Sequence, residues 1–284
     1  MRATSGSPSG GAKDIVTRIN LGRNGKAMRS TRHTDKRRVD FTGSQGEKLA
    51  ARLDLPEGSI KAYALFVHCF TCGKESVATA RISKMLTQHG IGVLRFDFTG
   101  LGESDGDFSN TNFSSNVEDL VCAANHLREN FAAPQLLIGH SLGGAAVLAG
   151  AKQIPEVCAV ATIGAPAEPS HVRHLFGDSQ VEIQDREAPV QIGGKTFLVR
   201  RQFLEDLALQ PQRERISSLR LPLMVVHSPA DEIVGIDNAR IIFETARHPK
   251  SFISVDGADH LLRKRRDAQF VADIVASWAS RYLA

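Results

Sequence analysis

The chain has 284 residues, 42% of them hydrophobic and 23% charged, which fits one large globular domain or two small ones. It contains no run of about 18 apolar residues, which excludes a membrane-spanning helix. Its net charge of +4 is unevenly spread: residues 1–38 hold ten Lys or Arg and two Asp, so the remainder sums to −4, and a nucleic-acid role is excluded for the body of the chain.

Residues 1–38 are rich in Ser, Gly, Arg and Thr. They bury too little apolar surface to offset chain entropy and are expected to be a disordered basic tail. The tail lacks the apolar core of a secretory signal. Its Arg-rich, acid-poor composition leaves a transit peptide open beside a leader or an early start, with Met28 as a start candidate. Without a secretion signal, Cys69, Cys72, Cys122 and Cys158 read as reduced thiols.

From Val39 onward strands alternate with helices. Arg38–Thr42 and Leu49–Leu55 read as an antiparallel entry hairpin. The continuous apolar run Ala62–His68 suits a strand buried on both faces. Val77–His89 has helical spacing and stops at Gly90. Gly92–Phe98 is the next strand, and Ser115–Asn130 a helix with Ser114 or Ser115 as its N-cap. Gln135–Gly139, a small-residue helix Leu142–Ala151 and strand Val157–Ile163 follow. The rhythm breaks over residues 167–219, which contain a hairpin and read as a small inserted cap. It resumes with strand Leu223–His227, a helix near Asp237–Arg247, strand Ser251–Val255 and a closing helix Asp267–Tyr282. The fold class is α/β: one domain over residues 39–284, with a mainly parallel central sheet and helices on both faces. Functional residues are then expected at the carboxyl ends of the strands.

Gly139-His140-Ser141-Leu142-Gly143 is a G-x-S-x-G segment between a strand and a helix, the setting of a nucleophile elbow. So sharp a turn presses the positions two before and two after the serine against neighbouring backbone, where only glycine fits. Ser141 is the candidate nucleophile. Its tetrahedral oxyanion needs two backbone N–H donors. Leu142 supplies one by following the nucleophile. Phe70, in the loop His68-Cys69-Phe70-Thr71-Cys72, is expected to supply the other, although Cys69 stands where glycine is usual. His68 reads as a structural hydrogen-bonding residue.

Hydrolases built on such sheets run nucleophile, acid, histidine along the chain. Asp231 follows strand Leu223–His227 and is the expected acid, with Glu232 as runner-up. His260 follows Ser251–Val255 and is the expected general base. Asp259 adjoins it and is a poor acid, since adjacent side chains rarely face each other. His140 and His227 have structural readings. His171 and His174, three apart in the cap, are candidate substrate contacts, and a solvated surface role competes. Asp97 reads as a structural tie in its loop. The remaining cysteines do not form a metal site. No cofactor and no metal are expected.

The segments HCFTCGK, LRFDFTGLGESDGDF, IGHSLGGAAV, APAEPSHVRHLF, FLEDL, HSPADEIVGIDNA, ARHPKSFISVDGADHLL and SWASRYL together resemble the α/β-hydrolase module that occurs fused to an OsmC-type peroxide-reductase domain, and also alone. The match runs from about Val39 to Ala284, and the chain is expected to end in the module's last helix without the fused partner. The resemblance implies the α/β-hydrolase fold, the triad Ser141, Asp231 and His260, and a bacterial cytoplasmic setting. The expected activity is a serine carboxylic-ester hydrolase on small or medium acyl esters, acting through an acyl-enzyme. Alternatives are an aminopeptidase-like amidase or a thioesterase with the same triad, and a peroxide-responsive thiol protein using the C-x-x-C pair Cys69 and Cys72. The expected partner is a small-molecule ester, with neither nucleic acid nor membrane; a homodimer is left open.

Overall fold

The computed structural model describes residues 35–68, 73–176, 187–192 and 195–283. Most of the expected disordered tail, and the segment with Cys69, Phe70 and Cys72, lie outside the described residues.

Eight strands form one sheet. They are β1 (Asp35–Thr42), β2 (Lys48–Leu55), β3 (Ala62–Val67), β4 (Ile91–Phe96), β5 (Pro134–His140), β6 (Ala159–Ile163), β9 (Leu223–His227) and β10 (Lys250–Ser254). Their order is β1-β2-β4-β3-β5-β6-β9-β10. β1 pairs antiparallel with β2, and β2 antiparallel with β4; the other pairings are parallel. β1 begins at Asp35, three residues before the strand expected from the sequence, because β2 stays in register up to the Asp35–Leu55 pair. Residues 35–38 therefore belong to the folded domain and not to the tail.

Helices α1 (Val77–Gln88), α2 (Phe113–Asn130), α3 (Leu142–Gly150), α6 (Asp237–Thr245) and α7 (Arg265–Ala279) cover the sheet. Alternation along β3 explains its unbroken apolar run. Ala64 and Phe66 join one core with Ile82 and Leu86 of α1 and Val271 and Val275 of α7. Leu65 and Val67 join the other with Leu120 of α2 and Val147 of α3. Each such side chain contributes about 1.5–3 kcal/mol when fully buried. Every residue of α3 is buried, so the helix that carries the elbow is held from all sides.

The N-cap of α2 is Asn112, not Ser114 or Ser115. Asn112 Oδ1 accepts the Ser115 N–H at 2.8 Å, and Ser115 Oγ accepts the Asn112 N–H at 3.0 Å, a reciprocal capping box that starts the helix at Phe113. Ser114 is engaged elsewhere: its N–H and hydroxyl both donate to the Asp206 carboxylate, at 2.8 and 2.6 Å.

Asp206 belongs to the stretch between β6 and β9. Its described parts are a 3-10 segment Pro169–Phe176, a separate antiparallel pair β7 (Glu187–Ile192) and β8 (Lys195–Arg200), and helices α4 (Arg201–Ala208) and α5 (Gln212–Ser217). Phe203 and Phe197 pack on Phe108, with ring centroids 5.6 and 5.5 Å away. Ala188, Val190 and Val199 share the core that contains α2 and α3. Among the described residues no helix is long and apolar enough to cross a membrane.

Candidate active site

Ser141 stands between β5 and α3 with φ 55° and ψ −127°. A non-glycine residue in that region carries about 1–3 kcal/mol of strain, held only where surrounding structure forces it. Here the forcing is visible. The Ser141 N–H donates to the Ile163 carbonyl at 2.9 Å, and its carbonyl accepts from Gly144 at 2.8 Å. A Cβ on Gly139 would stand 2.3 Å from the Gly143 carbonyl oxygen, and one on Gly143 would stand 2.3 Å from that of Val67. Leu142 is the first residue of α3, so its N–H has no acceptor within the helix and is free to serve an oxyanion.

Asp231 and His260 meet across 29 residues of chain. Asp231 Oδ2 accepts from His260 Nδ1 at 2.7 Å, which leaves Nε2 of a neutral imidazole as the proton acceptor. Asp231 Oδ1 takes the Ile233 and Val234 N–H groups, each at 2.9 Å. Burial pushes the Asp231 carboxyl up, but His260 and these two N–H groups outweigh it and hold it below the usual range. Glu232 is exposed; Asp259 turns away and accepts from the Arg263 N–H at 2.8 Å. His227 Nε2 donates to the Val234 carbonyl at 2.7 Å, bracing the acid's loop. Its burial holds the imidazole below its ordinary pKa.

Gly164, at the end of β6, was not singled out by the sequence. Its φ is +54°, and an added Cβ would lie 3.1 Å from Asp231 Oδ2 and 3.3 Å from His260 Nδ1. The only signal in the sequence is a glycine directly after a strand. Gly164→Ala should lower kcat about tenfold or more by prising the pair apart, and cost about 1–2 kcal/mol from the backbone. Steady-state kinetics beside urea melts would check both.

The loop expected to carry the second oxyanion donor is bracketed by His68 and Lys74, and Asp97 joins both. Asp97 Oδ1 lies 3.4 Å from His68 Nε2 and accepts the Lys74 N–H at 2.6 Å; Oδ2 accepts from Lys74 Nζ at 2.5 Å and from the Glu103 N–H at 3.1 Å. Lys74 is 2% exposed, and its carbonyl accepts from Arg95, itself paired with Asp54 at 2.9 Å. This ionic staple was legible only in part: Asp97 read as a structural tie, while Lys74 was not singled out.

Burial raises the Asp97 carboxyl, yet His68 and Lys74 more than reverse it and leave it far below the carboxylate range. A depressed carboxyl stabilises the fold fully above its unfolded pKa of about 3.9 and loses that contribution as pH falls through the folded value. A buried histidine with a lowered pKa acts in the same direction, its contribution lost as pH falls below about 6.5. Acidification should therefore weaken the protein in two stages, first through His126, His171 and His227, each lowered by burial, and then through the carboxylates. His227→Gln should reduce the first stage and Asp97→Asn the second in urea melts taken from pH 8 to 3. Unchanged pH slopes would refute the assignment.

The expected substrate contacts, His171 and His174, stay side by side but differ in exposure. The Asp231 charge and the Ile233 backbone act on His171, which places it beside the acid loop. His174 is exposed, its Nδ1 donates to the His171 carbonyl, and its ring lies 4.8 Å from that of His171. Cys122 and Cys158 are free thiols, and burial pushes Cys122 up. Cys158 precedes β6, not within a strand as the sequence suggested.

The family described as serine aminopeptidase, S33, matches residues 58–182. The esterase domain of a Rhodothermus marinus protein is 50% identical, covers 88% of this chain and 100% of its own, and superposes with a TM-score of 0.74. Est1E from Butyrivibrio proteoclasticus, solved with ferulic acid bound, is 19% identical over 86% of this chain and 99% of its own, with a TM-score of 0.75. A mitochondrial palmitoyl-protein thioesterase of Rattus norvegicus is 27% identical over 206 residues, 69% of this chain and 64% of that protein. With this sheet order, a strained serine between β5 and α3, and half of the aligned residues shared along the full Rhodothermus domain, the chain belongs to the α/β-hydrolase superfamily.

Proposed function

We propose that the protein is a serine carboxylic-ester hydrolase acting on small or medium acyl esters. The observation that carries this reading is the 2.7 Å contact between Asp231 and His260, beyond the carboxyl ends of the same run of parallel strands as the strained Ser141. In the mechanism, His260 Nε2 takes the Ser141 hydroxyl proton as Oγ attacks the acyl carbon. Asp231 holds the imidazole in the required tautomer and supports the imidazolium. The Leu142 N–H donates to the developing oxyanion, with Phe70 as the second donor; removing one such donor typically costs about 3 kcal/mol. The protonated His260 releases the alcohol, and water activated by His260 cleaves the acyl-enzyme.

The esterase description of the Rhodothermus domain, at 50% identity, supports the ester over other bonds. The family description as serine aminopeptidase and the thioesterase relative favour an amide or a thioester on the same triad as the second reading. The resemblance to hydrolase modules of OsmC-type fusions and a cytoplasmic setting belong to the same proposal. A panel of p-nitrophenyl esters of graded acyl length, run beside matched anilides and thioesters, tests it. Esters of short or medium chain should give the highest kcat/KM. An anilide or thioester turned over about 100-fold better than its ester would overturn the choice of bond.

A further inference from the structure

The base of this site sits on a loop with no ladder to hold it: residues 255–264, between β10 and α7, form only turns and irregular chain. Among the described residues three side chains from elsewhere grip that loop by its backbone: Arg81 donates to the Arg263 carbonyl at 2.8 Å, near the loop's end, and the other two act closer to the base. Ser228, at the head of the acid's loop, donates its hydroxyl to the Ala258 carbonyl at 2.6 Å. His140 donates through Nε2 to the carbonyl of His260 itself at 2.8 Å. His140 is the last residue of β5, is 6% exposed, and directly precedes Ser141. Its ring lies 4.9 Å from that of His260, at 39°.

We propose that His140 is a positioning residue, which sets where the base stands relative to the nucleophile one residue away. This rests on the Ser141–His260 reading above. The single side-chain bond to Asp231 leaves the His260 ring free to pivot about the Nδ1–Oδ2 axis, which swings Nε2 across the serine. The His140 bond holds the backbone of the same residue, so the imidazole is fixed at two points. Because the second point hangs from β5, any shift of the elbow carries the base with it. The middle position of G-x-S-x-G thus couples the two reacting groups, where the sequence shows only a histidine inside a turn. A displacement of about 1 Å in a reacting group costs on the order of 10²-fold in rate, so the effect belongs in kcat.

The test uses the full chain and an ester it turns over. His140→Leu should lower kcat about 10- to 100-fold with KM within about twofold. His140→Gln, which keeps an N–H donor of similar reach, should regain most of the loss. The downfield proton resonance of the His260–Asp231 hydrogen bond should broaden or shift in the Leu variant at unchanged Tm. An unchanged kcat in a folded Leu variant overturns the proposal. So does a Gln variant no better than Leu, or a loss that only tracks the unfolded fraction. If the Leu variant does not fold, His140→Asn replaces it: its shorter donor should fall well below Gln in kcat, and equality between them overturns the proposal. A His260→Ala variant that keeps its ester hydrolysis removes the triad reading as well, a result separable from any outcome at His140.

Discussion

Ser141→Ala lowers kcat on the best ester of the panel by about 10⁴-fold or more, and His260→Ala does the same. The two losses should be of similar size and should not add in the double variant, because each leaves the other without a partner. On the proposed mechanism Ser141 gains its reactivity from the geometry of β5, α3 and the 2.7 Å bond that fixes His260, not from an intrinsic property of a hydroxyl. Alanine keeps the strained backbone of the elbow and removes a buried polar group, so Tm should fall little or even rise. A fluorophosphonate should label the wild type once, at Ser141, and leave both variants unlabelled. Stoichiometric labelling of another serine would sink the assignment.

Gly143→Ala should cost about 3 kcal/mol or more and abolish activity with it. The added methyl would meet the Val67 carbonyl oxygen at 2.3 Å and that of His68 at 2.8 Å. Both are backbone atoms at the end of β3, in the middle of the sheet, and neither turns aside as a flexible side chain would. Relief requires α3 to move off the sheet, yet every residue of α3 is buried. Gly46→Ala is the control. That glycine has φ +84° but nothing within 4 Å of an added Cβ, so it should cost about 1 kcal/mol from the backbone alone. Urea midpoints of the two variants separate collision from conformational preference; equal midpoints would contradict the close packing of the elbow on β3.

The strand and helix rhythm was legible from residues 39 to 163 and again from 223 to 282 because each element's burial is written in its own periodicity. β3 is a continuous apolar run because both its faces are covered. The elbow was legible too, since the steric demand for Gly139 and Gly143 arises within a few residues of Ser141. Asp231 and His260 could be proposed from their places after β9 and β10. The local signal ended where side chains distant in sequence had to meet. Which carboxylate reaches His260, among Asp231, Glu232 and Asp259, is decided by the loop after β9, where the Ile233 and Val234 N–H groups hold Asp231. Asn112 rather than Ser114 caps α2 because Asp206, 92 residues away, takes Ser114. Lys74 is buried because Asp97 and Glu103 converge on it from another loop. Gly164 is bare because two residues far along the chain occupy the space of its Cβ. The sequence by itself thus determined the fold class, the nucleophile's turn and the order of candidate groups, all products of short-range sterics and burial. Only the tertiary structure decided the partners, because a hydrogen bond or a collision between distant residues exists once the sheet has set their separation.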